Sequence, residues 1–199
     1  MIKTAILWSL WISSLALQSG FAGGASEIFR VKGRSMEPYI PDGALVSVVL
    51  DPSHALELSA RDTVLYRLSP DRNPLIKMIY GVPGDKLSFQ EAVPGAHYLL
   101  INGSMVENTR DQPFVLRENG KTLLGSCLKE DGTIKDDLYL ILSDKADGSE
   151  DSRTFGLANR RDILGRVMEI RLRSHKHKRL VRGIVESVEA RPQEAVKLW

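Results

Sequence analysis

A serine and a lysine occur in settings that could make them a catalytic pair. Ser35 lies in a short turn bounded by Gly33 and Pro38, and Lys77 is the charged residue within the apolar run 75–80. A serine hydroxyl is a weak nucleophile until a neighbouring base removes its proton. Burial lowers the pKa of a lysine because desolvation penalises the ammonium form, so a buried lysine can be that base. Ser/Lys pairs are a known variant of the serine-hydrolase triad.

Three sequence blocks occur in an order that is similar to a known family. Residues 33–38 contain Ser-Met-x-Pro, residues 77–85 read Lys-x-x-x-Gly-x-Pro-Gly-Asp, and residues 149–156 read Ser-x-Asp-Ser-Arg-x-Phe-Gly. The first block alone is a weak signal, whereas the three together are specific. Over residues 28–172 the chain resembles the type I signal peptidases, membrane-bound Ser/Lys endopeptidases that remove signal peptides from exported proteins.

The resemblance implies a role for each matched polar residue. It makes Ser35 the nucleophile and Lys77 the general base, which returns the proton to the leaving amine. It makes Ser149 a hydrogen-bond partner that orients the lysine amine. Asp151 and Arg153 are implied to be a structural ion pair beneath the site, although a charge pair in a surface loop would have little energetic value.

The resemblance also implies how substrate and oxyanion are bound. Pockets for small side chains would be lined by four apolar residues, which could also be ordinary core: Phe29, Val31, Met36 and Ile76. Some family members have a serine two residues before the nucleophile as an oxyanion donor. This chain has Gly33 there, so the donor would be the backbone N–H of Ser35 or a group elsewhere. No cofactor and no metal are implied.

The N-terminal segment is uncharged between Lys3 and Glu27, with an apolar centre over residues 5–17. Because a spanning helix needs about 20 residues, we predict a membrane anchor over residues 1–25. A cleaved signal peptide is the alternative, since small residues follow the apolar centre. Lys3 favours a cytoplasmic N-terminus. We therefore predict a single-pass protein of the cell membrane with its catalytic domain on the extracytoplasmic side, or else a secreted or periplasmic protein.

The remaining sequence predicts a mainly β, barrel-like catalytic domain over residues 26–173, preceded by the N-terminal hydrophobic helix. Many short apolar runs alternate with Gly/Pro turns, and few windows have helical periodicity. Residues 105–137 are polar, and we predict a small insertion there with one or two hairpins. The basic tail, residues 174–199, is either solvated or in contact with anionic lipid. The formal net charge of +2 gives no reason to expect a nucleic-acid partner.

We therefore predict a serine endopeptidase that removes signal peptides, with exported precursors and the membrane as its partners. Three alternatives remain. One is a specialised processing peptidase of a conjugation or pilus system, and another is a self-cleaving repressor-type peptidase of the same broad fold. The third is a pseudopeptidase that binds exported peptides without cleaving them.

Overall fold

The structure, a computed structural model of the chain, describes residues 26–146, 149–172 and 197–198. The predicted N-terminal anchor and nearly all of the basic tail lie outside these residues. Within the described ranges, no helix is long and apolar enough to cross a membrane.

The described residues form mainly β-strands, with short helices between some of them. The strands are β1 (Ser26–Arg30), β2 (Leu45–Leu50), β3 (Thr63–Tyr66), β4 (Leu75–Gly81), β5 (Leu87–Val93), β6 (Ala96–Ile101), β7 (Ser104–Met105), β8 (Val115–Arg117), β9 (Leu138–Leu142), β10 (Ala158–Asn159), β11 (Ile163–Arg171) and β12 (Lys197–Leu198). The helices are α1 (Glu118–Ser126), α2 (Ser152–Phe155) and a 3₁₀ turn, Arg160–Asp162. The prediction of a mainly β protein is confirmed.

The strands form two sheets. The first has eight strands in the order β10-β9-β4-β3-β11-β2-β1-β12, and the second joins β5, β6 and β7, with β8 also paired to β6. Neighbours in both sheets are antiparallel, except that β12 pairs in parallel with β1. Strand β4 therefore lies inside the larger sheet, between β3 and β9.

Strand β4 is covered on both faces, which is why its sequence is an almost unbroken apolar run. Ile76 and Met78 pack into the larger core cluster, and Ile79 packs on the other side with Val64 and Tyr66. A strand with one solvated face would alternate apolar and polar residues instead. Because both faces are covered, Lys77 is buried with its strand.

Two positions in the fold show why particular residues are needed. Asn102 and Gly103 join β6 to β7 with φ angles of 50° and 81°, the left-handed conformation that a tight hairpin requires. This confirms the predicted turn. Gly165 of β11 pairs with Leu50 of the neighbouring strand β2, and a Cβ there would be 2.4 Å from the Val49 carbonyl oxygen. Only glycine fits this close approach of the two strands.

The segment 105–137 contains a helix that the sequence did not predict. It contains the nine-residue helix α1. Leu124 is the buried residue of this helix, and most of its other residues are polar. A helix with so little apolar periodicity leaves a weak signal in the sequence. The helix is held instead by tertiary contacts, including packing of Gly120 against the carbonyl of Arg153.

Candidate active site

The turn that carries Ser35 connects β1 to β2 and packs against the hydrophobic core. Met36 and Ile40 are 2% and 0% exposed, and the Ile40 N–H donates to the Met36 carbonyl at 2.7 Å. Gly33 has a φ of +103°, which favours glycine, and its N–H donates to Asp42 at 2.8 Å. The apolar anchors hold the turn against the core, so that Ser35 lies half-buried above it.

Lys77 reaches Ser35 from the middle of β4. Its Nζ lies 3.0 Å from Ser35 Oγ, although the two residues are 42 positions apart in the sequence. The lysine is only 1% exposed. At this distance, the charged amine donates to the serine oxygen and the neutral amine can accept the serine proton.

Burial changes the acidity of Lys77. Desolvation lowers its pKa from 10.5 to about 8. The negative charges of Asp151 and Glu150 oppose this lowering, and the Arg153 guanidinium reinforces it. With a pKa of about 8, roughly a tenth of the lysine is neutral at pH 7. The site therefore holds a base that is partly deprotonated near neutral pH.

Asp151 and Arg153 form a buried ion pair at the start of α2. Arg153 Nη2 and Nε donate to the two oxygens of Asp151 at 2.7 and 2.9 Å, and Asp151 is fully buried. Ser143, which follows β9, donates to Asp151 through both its N–H and its Oγ, at 3.0 and 2.7 Å. Several donors thus satisfy the carboxylate, as a buried charge requires. Asp151 also caps α2.

Ser149 lies half-buried in the loop between β9 and α2. It follows residues 147–148, which are outside the described residues. No hydrogen bond joins it to Lys77 among the contacts of the described part of the chain. Its role in orienting the amine stays a prediction.

A second group of residues holds the Ser35 turn and was missed in the sequence. The Asp144 N–H donates to the Ser35 carbonyl at 2.9 Å. Asp144 is 1% exposed, and its carboxylate accepts from the Thr109 N–H at 2.9 Å and from Thr109 Oγ1 at 2.7 Å. Asn108 Nδ2 donates to the Asp144 carbonyl at 2.8 Å. The segment between β7 and β8 is therefore linked to the Ser35 turn through Asp144.

The sequence contains only a faint signal for this group. Asp144 closely follows the apolar strand β9, a position at which a carboxylate can be buried. Nothing in the order of residues indicates that Thr109, 35 positions away, is its partner.

The four predicted pocket residues come together in the fold. Phe29, Val31, Met36 and Ile76 are all buried and belong to one core cluster. Val31 and Met36 flank the Ser35 turn, and Ile76 precedes Lys77 in β4. Their contact with substrate stays a prediction.

A comparison with protein-family models matches residues 5–171 to the family described as signal peptidase, peptidase S26. The chain belongs to the signal peptidase family. This confirms the resemblance to type I signal peptidases that the three sequence blocks indicated.

Individual signal peptidases are similar to this chain. Signal peptidase IB of Staphylococcus aureus is 27% identical over 151 residues, which cover 70% of this chain and 74% of that protein. Signal peptidase I V of Bacillus subtilis is 28% identical over 151 residues, covering 71% of this chain and 83% of that protein. A solved structure of a signal peptidase I from Enterococcus faecalis covers 57% of this chain and 98% of its own, with 20% identity and a TM-score of 0.41.

Proposed function

We propose that this signal peptidase family member is a serine endopeptidase that removes signal peptides from exported precursors, with Ser35 as nucleophile and Lys77 as general base. The observation that carries this proposal is the 3.0 Å contact between the Ser35 hydroxyl and a buried lysine amine. Membership of the family supplies the substrate class.

The chemistry follows from that contact. As Ser35 Oγ attacks the carbonyl before the scissile bond, neutral Lys77 takes its proton. Lys77 then gives the proton to the leaving amine, and an acyl-enzyme remains. A water molecule attacks the ester while Lys77 takes a proton from it, and the proton returns to Ser35 as the new carboxyl group leaves. Each half-reaction needs the amine neutral at its start.

The oxyanion needs donors that point at the developing charge. We assign this role to the backbone N–H of Ser35, because Gly33 has no side chain to contribute. The Asp144 N–H bound to the Ser35 carbonyl fixes the peptide plane that follows the nucleophile. The nucleophile turn is therefore held in place before substrate arrives, which lowers the reorganisation needed in the transition state.

The third sequence block is proposed to support Lys77. The negative charge of Asp151 raises the pKa of the buried amine and the positive charge of Arg153 lowers it. The pair therefore partly offsets the lowering of the Lys77 pKa by burial. It also links the loop after β9 to α2. Ser149 is proposed to orient the amine.

Substrate is proposed to bind as an added strand, with small side chains entering the pockets of Phe29, Val31, Met36 and Ile76. Strand addition supplies backbone hydrogen bonds, and alternate side chains then enter pockets. Shallow apolar pockets accept alanine and reject bulky residues on steric grounds. We also propose that residues 1–25 anchor the protein in the membrane and place this domain on the extracytoplasmic side.

The test is cleavage of an exported precursor with an Ala-x-Ala site by the detergent-solubilised full chain. Wild type is expected to cut after the second alanine, whereas Ser35→Ala and Lys77→Ala do not. Lys77→Arg is also expected to be inactive, because a guanidinium does not deprotonate in a protein. Lys129→Arg, a change at an exposed lysine, is the matched control.

Each outcome has a defined meaning. Full activity of Lys77→Arg would rule out Lys77 as the general base. Failure of wild type to cut general precursors, with cutting of a single pilin-like protein, would replace general signal-peptide removal by dedicated processing. Binding of the precursor without cleavage would indicate a pseudopeptidase.

A further inference from the structure

Strand β1, which leads into the Ser35 turn, is paired on both of its edges. On one edge it pairs with β2 along its whole length. On the other edge, Phe29 and Arg30 pair in parallel with Lys197 and Leu198, the two residues of β12. Strand β12 therefore covers the edge of β1 that β2 leaves open.

The pairing with β12 involves the backbone of Arg30. The Val31 N–H donates to the Ala44 carbonyl at 2.9 Å, on the β2 side. In an antiparallel pair, the N–H and C=O groups of successive residues point alternately toward and away from the partner strand. The N–H and C=O of Arg30 therefore point away from β2, toward β12. Strand β12 thus lies against backbone groups that immediately precede the Ser35 turn.

The proposed mode of substrate binding needs the same edge. Of the residues proposed to line the substrate pockets, Phe29 belongs to β1 and Val31 directly follows it. An extended precursor that adds to the sheet beside these residues forms its hydrogen bonds with the edge of β1 that faces away from β2. This holds whichever way the precursor runs. Strand β12 and the precursor cannot pair with the Arg30 backbone at the same time.

We propose that β12 is an autoinhibitory strand, which occupies the edge of β1 that an incoming precursor uses and leaves it when the precursor binds. The inference rests on the proposed function. Two residue pairs form few hydrogen bonds, and each contributes little net free energy, so the pairing is weak enough to be displaced. Because β12 is part of the same chain, it competes at an effective concentration that does not depend on the concentration of enzyme.

The register of the sheet allows β12 to leave without moving the other strands. Arg171 of β11, Leu45 of β2, Arg30 of β1 and Leu198 of β12 lie in one row across the sheet. With about 4.8 Å between neighbouring strands, Arg171 and Leu198 are roughly 15 Å apart. An extended chain spans about 3.3–3.6 Å per residue, so residues 172–196 are much longer than this gap. Displacement of β12 therefore leaves β11, β2 and β1 paired.

The proposal is tested by replacing both residues of β12 with proline, Lys197→Pro together with Leu198→Pro, in the full chain in detergent. Proline has no N–H to pair with β1. We expect KM for a precursor with an Ala-x-Ala site to fall at least about threefold while kcat stays within about twofold of wild type. The reason is that β12 reduces the fraction of enzyme open to substrate, whereas saturating substrate displaces it. Lys197→Gln together with Leu198→Val, which removes the charge and keeps both N–H groups, is the matched control and should leave KM unchanged.

Two further measurements connect the change in KM to the edge of β1. By amide hydrogen exchange, the Arg30 amide should exchange at least about tenfold faster in the proline variant than in wild type, whereas the Val31 amide, bound to β2, should not change. A peptide with the sequence of residues 193–199, added to the proline variant at about 1 mM, should raise KM toward the wild-type value. A peptide of the same composition in scrambled order should not.

The results separate this proposal from the peptidase activity. Unchanged KM in a proline variant whose Arg30 amide exchanges faster would show that β12 only completes the sheet, and it would overturn autoinhibition. Equal exchange of the Arg30 amide in both proteins would overturn the pairing itself. Cleavage by wild type and not by Ser35→Ala supports the peptidase on its own.

Absence of cleavage by wild type and by the proline variant would overturn the proposed function instead. Binding of a fluorescent precursor peptide, measured by anisotropy, then still decides the role of β12. Tighter binding to the proline variant than to wild type would support a competing strand, and equal binding would overturn it.

Discussion

Replacement of Lys77 with methionine is expected to abolish cleavage and to stabilise the fold at neutral pH. Lys77 is 1% exposed, and burial lowers its pKa from 10.5 to about 8. The unfolded chain restores the ordinary pKa, so it binds the lysine proton more tightly than the folded protein does. Methionine keeps an unbranched side chain without the charge, and it therefore removes this cost of folding.

The magnitude follows from proton linkage. A folded pKa of about 8 and an unfolded pKa of 10.5 together lower the free energy of unfolding by about 3 kcal/mol at pH 7. Between those two pKa values the unfolded chain binds more protons, so wild-type stability rises with pH across that window. Most of this cost, roughly 2–3 kcal/mol, is lost between pH 7 and pH 10. Loss of the hydrogen bond to Ser35 offsets about 1 kcal/mol in the variant.

We therefore expect Lys77→Met to be more stable than wild type by about 2 kcal/mol at pH 7 and about equal to it at pH 10. Urea unfolding of the full chain in detergent, followed by far-ultraviolet circular dichroism, measures both differences. Lys129→Met, at a lysine whose side chain is 47% exposed, controls for removal of a lysine as such. A variant that is less stable than wild type at pH 7, or a difference that does not change with pH, would refute the desolvated-amine argument.

Three further predictions concern the site and its scaffold. Because the Lys77 pKa is about 8, kcat/KM should rise about tenfold per pH unit below pH 8 and level off above it. A rise that continues to pH 10 would indicate that the pKa of the lysine is not lowered. Thr109→Val removes the 2.7 Å hydrogen bond to Asp144 and is expected to lower kcat more than it raises KM, whereas Thr109→Ser should restore kcat. A loss of stability without a change in kcat would contradict a role of Thr109 in positioning Ser35. Gly165→Ala would place a Cβ 2.4 Å from the Val49 carbonyl oxygen, so thermal unfolding should show a destabilisation of about 1–3 kcal/mol. An unchanged melting temperature would contradict this close approach of β11 to β2.

Much of the fold was predictable because its signals are local. Buried strands such as β4 and β9 are short apolar runs between turn residues, and the turn at Asn102–Gly103 is marked by its own residue types. The helix α1 was not predictable in the same way, because its polar sequence has only Leu124 buried. Its conformation depends on neighbours from distant parts of the chain.

The sequence by itself determined the reactive residue types and the residues that precede and follow each one. A serine in a Gly/Pro-bounded turn, a lysine within an apolar run and a third polar block are all visible in the order of residues, and they suffice to indicate the family. They do so because the chemistry of a hydroxyl, an amine or an apolar side chain is a property of the residue type, which the sequence states directly.

Only the tertiary structure decided the distances and the electrostatics. The contact between Ser35 and Lys77 joins residues 42 positions apart, and the link from Thr109 through Asp144 to the Ser35 carbonyl joins three separate segments. The lowered pKa of Lys77 likewise depends on burial and on the charges of Asp151 and Arg153. Desolvation and Coulomb interactions are set by separation in space, and sequence order does not specify that separation.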